Sequence, residues 1–451
     1  MVESTRRRTC YLLLLACVVA WELLHSLGVI TSTRGSHPTA ILLAFLDLDF
    51  LHRLLGMFLQ VVVAVLLGGI AGTTIAVLIQ NTTWLMPPAR RFARIILWFP
   101  FFVIAALPQW WIQAISVILL IGIAAISAFS FYELLVVRTV LHFHWSEALS
   151  ATGRKILLQS LLFSLYSQIH QRFGWMVLSV QRPELAYTAL FLTCALLLLV
   201  DRAFESRFAK TAELDCKALV EELFSYKIGS LIGAFLLGLV CIGLWQFSSK
   251  YTTHYLLVDS PIVVFGTAYN MFIGSAVTTG QQWQVGDLLT SLLEMFGGLI
   301  IGGALALIVR KGMNKSRAFR EWMYRLLPMT YITPLILTVA INNWLSGFTA
   351  PWRTALAVAL LGFYPFLKVL WGLRDTSFLF SFVLGVEQAL PFAFIGMLFG
   401  ELGGATHGLG FFTVVMRAEV RINEAIAMSL FIFGLFVMIS ASLRFVSKKL
   451  R

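Results

Sequence analysis

Residue types able to do chemistry are sparse in this chain. Six ionisable groups lie in or beside long apolar stretches: Glu22, Glu133, Glu294, Lys368, Glu387 and Glu401. A charge placed in lipid is expensive, so such a group marks a functional position unless it pairs or reaches the interface. Most of the six stand near the ends of apolar stretches, where snorkelling makes them cheap. Glu294 and Glu387 stand deeper. Each reads either as an interhelical hydrogen-bond partner or as part of a solute pathway. Pro328 and Pro334 interrupt another apolar stretch. The carbonyls they free can line a cavity, because irregular backbone at membrane depth is tolerated only beside protein or water; a packing kink is an equal reading. Glu294, Pro328, Pro334, Glu387 and Glu401 therefore form the candidate set for a pathway or gate.

Enzyme signatures are missing. The sequence has no GxxxxGK[ST] phosphate loop, no G-x-S-x-G elbow and no H-E-x-x-H pair. His142 and His144 form a pair without a third ligand nearby, so no metal site is expected. Cys10, Cys17, Cys194, Cys216 and Cys241 show no paired spacing and suggest no disulfide framework. The expectation is a chain with no catalytic residues and no cofactor.

The elements that must hold these groups are membrane helices. Of 451 residues, 59% are hydrophobic and 12% charged, against about 25% charged in a soluble domain. Stretches 11–31, 54–79, 112–137, 185–200, 228–247, 287–309 and 422–443 are almost free of charge. Each approaches the roughly 20 residues that cross a ~30 Å hydrocarbon core. Shorter candidates at 95–109, 160–181, 326–342, 352–371 and 377–400 bring the total to about twelve. The net charge of +12 is a matter of topology. Basic clusters such as Arg6–Arg8, Arg90–Arg94 and Arg310–Arg320 all fall on one side of a twelve-span chain. That side is cytoplasmic by the positive-inside rule, with both termini inside. Nucleic acid is excluded as a partner. The basic start followed by an apolar run reads as an uncleaved first helix, because Trp21, Glu22 and His25 follow it without a small-residue cleavage site.

The chain also contains itself twice. Residues 53–80 and 288–310 are long spans with the glycine pairs Gly68–Gly69 and Gly302–Gly303 in their middles. Each precedes a basic loop, ARRFAR (89–94) or KSRAFREW (315–322), and then a proline-interrupted span. Upstream, WELLHSLGVI with His37–Pro38–Thr39 parallels LWQF with Asp259–Ser260–Pro261. The expected division is a first repeat at 1–201, a charged cytoplasmic linker at 202–227 and a second repeat at 228–451. Both repeats run in one orientation, which implies a pseudo-twofold axis along the membrane normal with a pathway between the halves. Gly68–Gly69, Gly297–Gly298 and Gly302–Gly303 read as close helix contacts or as gating flexibility.

In this order of elements the chain resembles the permeases of nitrate-, sulfonate-, taurine- and bicarbonate-type ATP-binding cassette importers, two copies fused in tandem. YRLLPMTYITPLILTVAINNW (324–344) is similar to the family's third helix. The segment 385–420 is similar to its fifth helix and Glu-then-Gly-x-Gly loop, carried here by Glu401, Gly408 and Gly410. EALSATG (147–153) resembles the ATPase-coupling loop, with Glu147, Ala148 and Gly153 at the motif positions; Leu149 departs from it, and the proline expected near Leu165–Tyr166 is missing. The second half has only ten residues between Arg374 and Gly385, so its coupling loop is expected to be shortened. The resemblance implies an all-α polytopic membrane protein of about twelve transmembrane helices in two type I importer permease-like repeats. It implies a transport subunit of a prokaryotic inner membrane that passes a small anionic or organic solute. The implied partners are the lipid bilayer, cytoplasmic ATP-binding subunits and an extracytoplasmic solute-binding protein. That protein would land on the loop 248–286 and the turn 401–410. A secondary transporter and an inactive pseudo-permease or scaffold are the alternatives.

Overall fold

A computed structural model describes residues 48–80, 85–99, 121–126, 228–256, 259–272, 285–321, 350–373, 376–402 and 405–450, together with residues 102 and 323 and a few single positions between 19 and 43. The described residues include nine helices of ten residues or more and no strand. They are α1 (Leu48–Gln80), α2 (Met86–Ile96), α3 (Ile228–Leu256), α4 (Pro261–Phe272), α5 (Val285–Lys315), α6 (Ala350–Gly372), α7 (Phe378–Leu402), α8 (Leu409–Ala418) and α9 (Ile422–Lys449). The coupling motif Glu147–Ala148–Gly153, Pro328, Pro334, Glu133, His142, His144 and the linker 202–227 lie outside the described residues.

Five helices are long and apolar enough to cross a membrane, with spans at Ile232–Ser249, Gly286–Lys315, Pro351–Gly372, Phe378–Leu398 and Ile422–Lys449. The chain is thus an all-helical membrane protein. In α3 only 11% of the span is buried, and Ile232, Phe235, Leu236, Val240 and Leu244 point outward. A helix apolar on every face suits lipid on most of its circumference. α6 is the opposite, with 67% of its span buried. It lies between α5 and α7.

Small residues make that sandwich possible. On α5, a Cβ added to Gly298 would overlap the Ala355 carbonyl and the Val358 side chain, and one on Gly302 would sit 2.7 Å from the Ala359 carbonyl. On α7, a Cβ at Gly396 would lie 2.9 Å from Val358 Cα, and one at Gly400 2.6 Å from Thr354 Cα. Glycine at both spacings lets two backbones come close enough for dispersion contacts to hold them without a water-driven term. The pairings also fix direction. Residues 298 and 302 meet 355 and 359, so α5 and α6 run parallel. Gly396 and Gly400 meet residues 358 and 354, so α7 runs back against α6.

A close approach at glycine also occurs on α1. Gly68 on α1 abuts the Ile121 carbonyl, Ala124 Cβ and Ala125 N, and Gly72 abuts the Ala125 backbone. The glycines are four apart in both crossings, and the partner helix presents positions 121, 124 and 125 or 355, 358 and 359. Gly68 and Gly298 make these contacts while their sequence neighbours Gly69 and Gly297 do not, because neighbours point about 100° apart and positions three or four apart share a face. A Cβ on Gly69 or Gly297 would meet nothing within 4 Å.

Both expected basic loops are helical. Pro87 and Pro88 in the first turn of α2 have their φ already set for a helix start. Residues 317–321 are helical as well, with Arg317 and Glu321 paired at 3.1 Å in an exposed i, i+4 bridge. The described residues of the expected loop 248–286 are largely helical too, since α3 continues to Leu256 and α4 fills Pro261–Phe272. Asp259 and Asn423 tie the start of α4 to α9, with Asn423 Nδ2 donating to Asp259 Oδ2 at 2.6 Å. Phe272 stacks on Phe431 at the other end of that contact, 4.4 Å between centroids.

Aromatic packing joins the halves. Phe102 is fully buried against Phe394 of α7 and Phe433 and Phe436 of α9. Trp98 meets Phe392 edge-on at 5.1 Å. Pro88 of α2 fits against Gly233 of α3. Edge-to-face and tilted ring pairs of this kind contribute beyond their buried area.

Candidate functional site

The polar centre of the described bundle lies where α5 and α6 begin, α7 ends and α8 starts. Its foundation is one face of α5. Asp287, Ser291 and Glu294 are spaced i, i+4, i+7, and Gly298 and Gly302 extend the same stripe. The stripe that presses α5 onto α6 therefore becomes polar at its N-terminal end.

Glu401, near the end of α7, is the most enclosed carboxyl group, 1% exposed. Ser291 Oγ donates to its Oε1 at 2.5 Å, and the Gly410 amide donates to its Oε2 at 2.6 Å. The Phe411 amide also donates to it. Ser291 Oγ in turn accepts the Leu409 amide at 2.9 Å, and Asp287 Oδ1 accepts the Gly408 amide at 3.4 Å. The first amides of a helix have no partner within the helix. Here the amides of residues 408 to 411 at the head of α8 are all taken by Asp287, Ser291 and Glu401. Two carboxylates at a helix N-terminus also suit its partial positive charge.

The backbone is shaped around that arrangement. Gly408 adopts φ +113°, and a Cβ there would overlap the Glu401 carboxylate. Only glycine meets both conditions. His407 lies exposed beside the centre, its Nδ1 3.5 Å from Asp287 Oδ1.

Glu294 lies about 10 Å further along α5 than Asp287, at 1.5 Å per residue. It is 6% exposed. The Thr354 side chain of α6 hydrogen-bonds to it, and its charge acts on Glu401. Its Oε2 is buried and has no hydrogen-bond partner.

Glu387 belongs to a different place. It lies on α7 about 20 Å from Glu401 along the helix and is 3% exposed. Arg444 of α9 bonds to its Oε1 through Nε at 2.7 Å. Ser440 Oγ donates to the same oxygen at 3.3 Å, and Gln388 Nε2 donates to Oε2 at 2.6 Å. The structure thus gives Glu387 the interhelical bond that was one of its two readings.

Of the sequence candidates, Glu294 and Glu401 come together, Glu387 stands apart, Lys368 lies half-buried on α6, and Glu133, Glu147, Ala148, Gly153, Pro328 and Pro334 lie outside the described residues. Glu22 accepts both the amide and the hydroxyl of Thr39, at 3.1 and 2.5 Å. Sequence reading passed over Asp287, Ser291, Thr354 and His407. The i, i+4, i+7 spacing of three polar residues at the head of an apolar helix could have pointed to the first two.

The α6–α7 connection bears on partner docking. Only five residues separate Gly372 from Phe378. Thr376 N and Oγ1 both donate to the Leu373 carbonyl, at 3.2 and 2.9 Å. Ser377 Oγ accepts the Phe380 amide at 3.4 Å as α7 begins.

Among the described residues no group of three or more His, Cys, Asp or Glu side chains is placed to hold a metal. Comparison with protein-family models, with curated proteins and with solved structures finds no match for this chain. The helices and their buried polar centre define an all-helical membrane protein.

Proposed function

We propose that this chain is the membrane-spanning subunit of an ATP-driven importer, built of two fused permease-like repeats. The observation that carries this reading is the repeated crossing. Gly68 and Gly72 press on 121–125 as Gly298 and Gly302 press on 355–359. Two copies of one crossing are what a pathway between pseudo-symmetric halves requires. The Glu401, Gly408 and Gly410 loop supports it further. In the resemblance these were motif letters, and here each has a physical role in fixing the turn between α7 and α8.

In this reading the ends bearing Asp287 and Glu401 face outward, and Lys448 and Lys449 of α9 face the cytoplasm, in a prokaryotic inner membrane. A solute-binding protein delivers a small solute beside α4 and the α7–α8 turn. ATP-binding subunits dock below and push the loop of Glu147, Ala148 and Gly153, and the halves rock in response. The chain itself hydrolyses nothing and carries no cofactor. The five-residue turn between α6 and α7 leaves no room there for a second coupling helix, so docking is asymmetric.

The test is the subunit composition of the complex purified from its native host by native mass measurement. One copy of this chain with ATP-binding subunits is the expected result. The chain alone, or paired only with itself, would overturn the importer reading. Glu147→Ala and Gly153→Pro are expected to abolish uptake while leaving the folded chain in the membrane; unchanged uptake in both would remove the coupling role.

A further inference from the structure

We propose that Glu294 is the recognition carboxylate of a binding site for a positively charged, hydrogen-bond-donating group, an ammonium in its simplest form, at the head of the α5–α6–α7 bundle. The inference names the solute class of the proposed importer and rests on that reading.

The first support is an imbalance of bonding. Every other acceptor described in the centre is engaged. Glu401 takes Ser291 and the Gly410 amide, Ser291 takes the Leu409 amide, and Asp287 takes the Gly408 amide. Glu294 Oε2 is buried without a partner. A carboxylate oxygen enclosed without a donor loses its hydration and gains nothing in return. A donor that enters from outside the protein would restore that bond.

The second support is the sign of the charge. Asp287, Glu294 and Glu401 are all buried at this end of the bundle. Arg353 stands half-buried next to Thr354 at the head of α6, and His407 is exposed beside Asp287. An anion entering here would meet three acidic groups. The amides at the head of α8, the natural anion donors of such a fold, are already occupied. Anionic solutes, one of the classes suggested by the family resemblance, are therefore disfavoured at this centre.

The third is geometry. Glu294 shares its face of α5 with Gly298, the residue that brings α6 against α5, and Thr354 of α6 bonds to it. A ligand held by Glu294 and Thr354 would touch both helices of the crossing, so its arrival would be felt by the element expected to move.

The experiment uses the full chain in lipid nanodiscs. A hydrophobic carbodiimide, which attacks carboxyl groups shielded from water, is applied with and without ethylammonium, guanidinium or methanesulfonate, and adducts are located by peptide mass spectrometry. Glu294 is expected to be labelled in the absence of amine. Labelling should slow about tenfold when ethylammonium is present at ten times its dissociation constant, and methanesulfonate should leave it unchanged. Thr354→Val, which keeps the carboxylate, should weaken the protection; Glu294→Gln should remove both the adduct and any thermal stabilisation by ethylammonium. Protection by methanesulfonate in place of the amines would overturn the proposal. So would an absence of adduct at Glu294, or labelling that no amine slows. The importer reading is judged separately by the presence of ATP-binding subunits in the native complex. Amine protection without them leaves the site standing and the importer fallen, and the reverse result does the opposite.

Discussion

Single carboxyl groups in this bundle do different work according to what surrounds them. Glu401 organises backbone: it holds the Gly410 and Phe411 amides and the Ser291 hydroxyl. Glu401→Ala should leave those donors buried and unpaired, at a cost of about 2–4 kcal/mol, seen as a lower thermal midpoint of the detergent-purified chain. Gly408→Ala should destabilise in the same assay, because its φ of +113° is strained for alanine and its Cβ would overlap Glu401. Glu387 organises helices. Removing Arg444 from it should cost about 1–3 kcal/mol, below the full value for a buried pair because Arg444 is 29% exposed. The double variant Glu387→Gln/Arg444→Gln should be less damaging than the two single effects added together; strict additivity would show that the pair is not coupled. At the start of α9, hydrogen bonding from Glu424, and then from Glu419, raises the Arg421 pKa above its ordinary value. That guanidinium stays charged and bridges Glu419 and Glu424 at the α8–α9 turn at every ordinary pH.

At the scale of elements, the decisive feature is close approach at glycine. Gly68, Gly72, Gly298 and Gly302 each face the backbone of a neighbouring helix, whereas Gly69 and Gly297 face open space. Gly68→Val and Gly298→Val should both push their helices apart and lower the thermal midpoint substantially. Gly69→Ala and Gly297→Ala should be neutral, or stabilising by up to about 1 kcal/mol, since alanine favours a helix over glycine. Equal effects at 68 and 69, or at 297 and 298, would contradict the register of both crossings. The sequence marked Gly68, Gly298 and Gly302 but passed over Gly72, because a Gly–Gly pair catches the eye while contact depends on which positions share a helix face. The basic segments at 89–94 and 315–322 read as loops from their charge. They are helical because Pro87 and Pro88 start one of them and an i, i+4 Arg317–Glu321 pair supports the other.

On the scale of the whole molecule, the halves are joined by rings. Phe102, Phe433 and Phe436 pack with centroids 5.5 to 6.0 Å apart. The double variant Phe102→Ala/Phe433→Ala should lose less thermal stability than the two single effects added together; strict additivity would contradict this contact between the halves. Sequence alone determined the membrane class and the helical content, because apolar length and scarcity of charge act residue by residue and require no partner. It also located Glu294, Glu387 and Glu401 as acids in costly places. It could not assign their roles. Whether an acid is satisfied depends on what lies across from it: Arg444 is 57 residues from Glu387, and Ser291 is 110 from Glu401. No local pattern carries such separations. Only the tertiary structure set Glu387 in an ion pair, gave the amides of α8 to Asp287, Ser291 and Glu401, and left one oxygen of Glu294 without a partner.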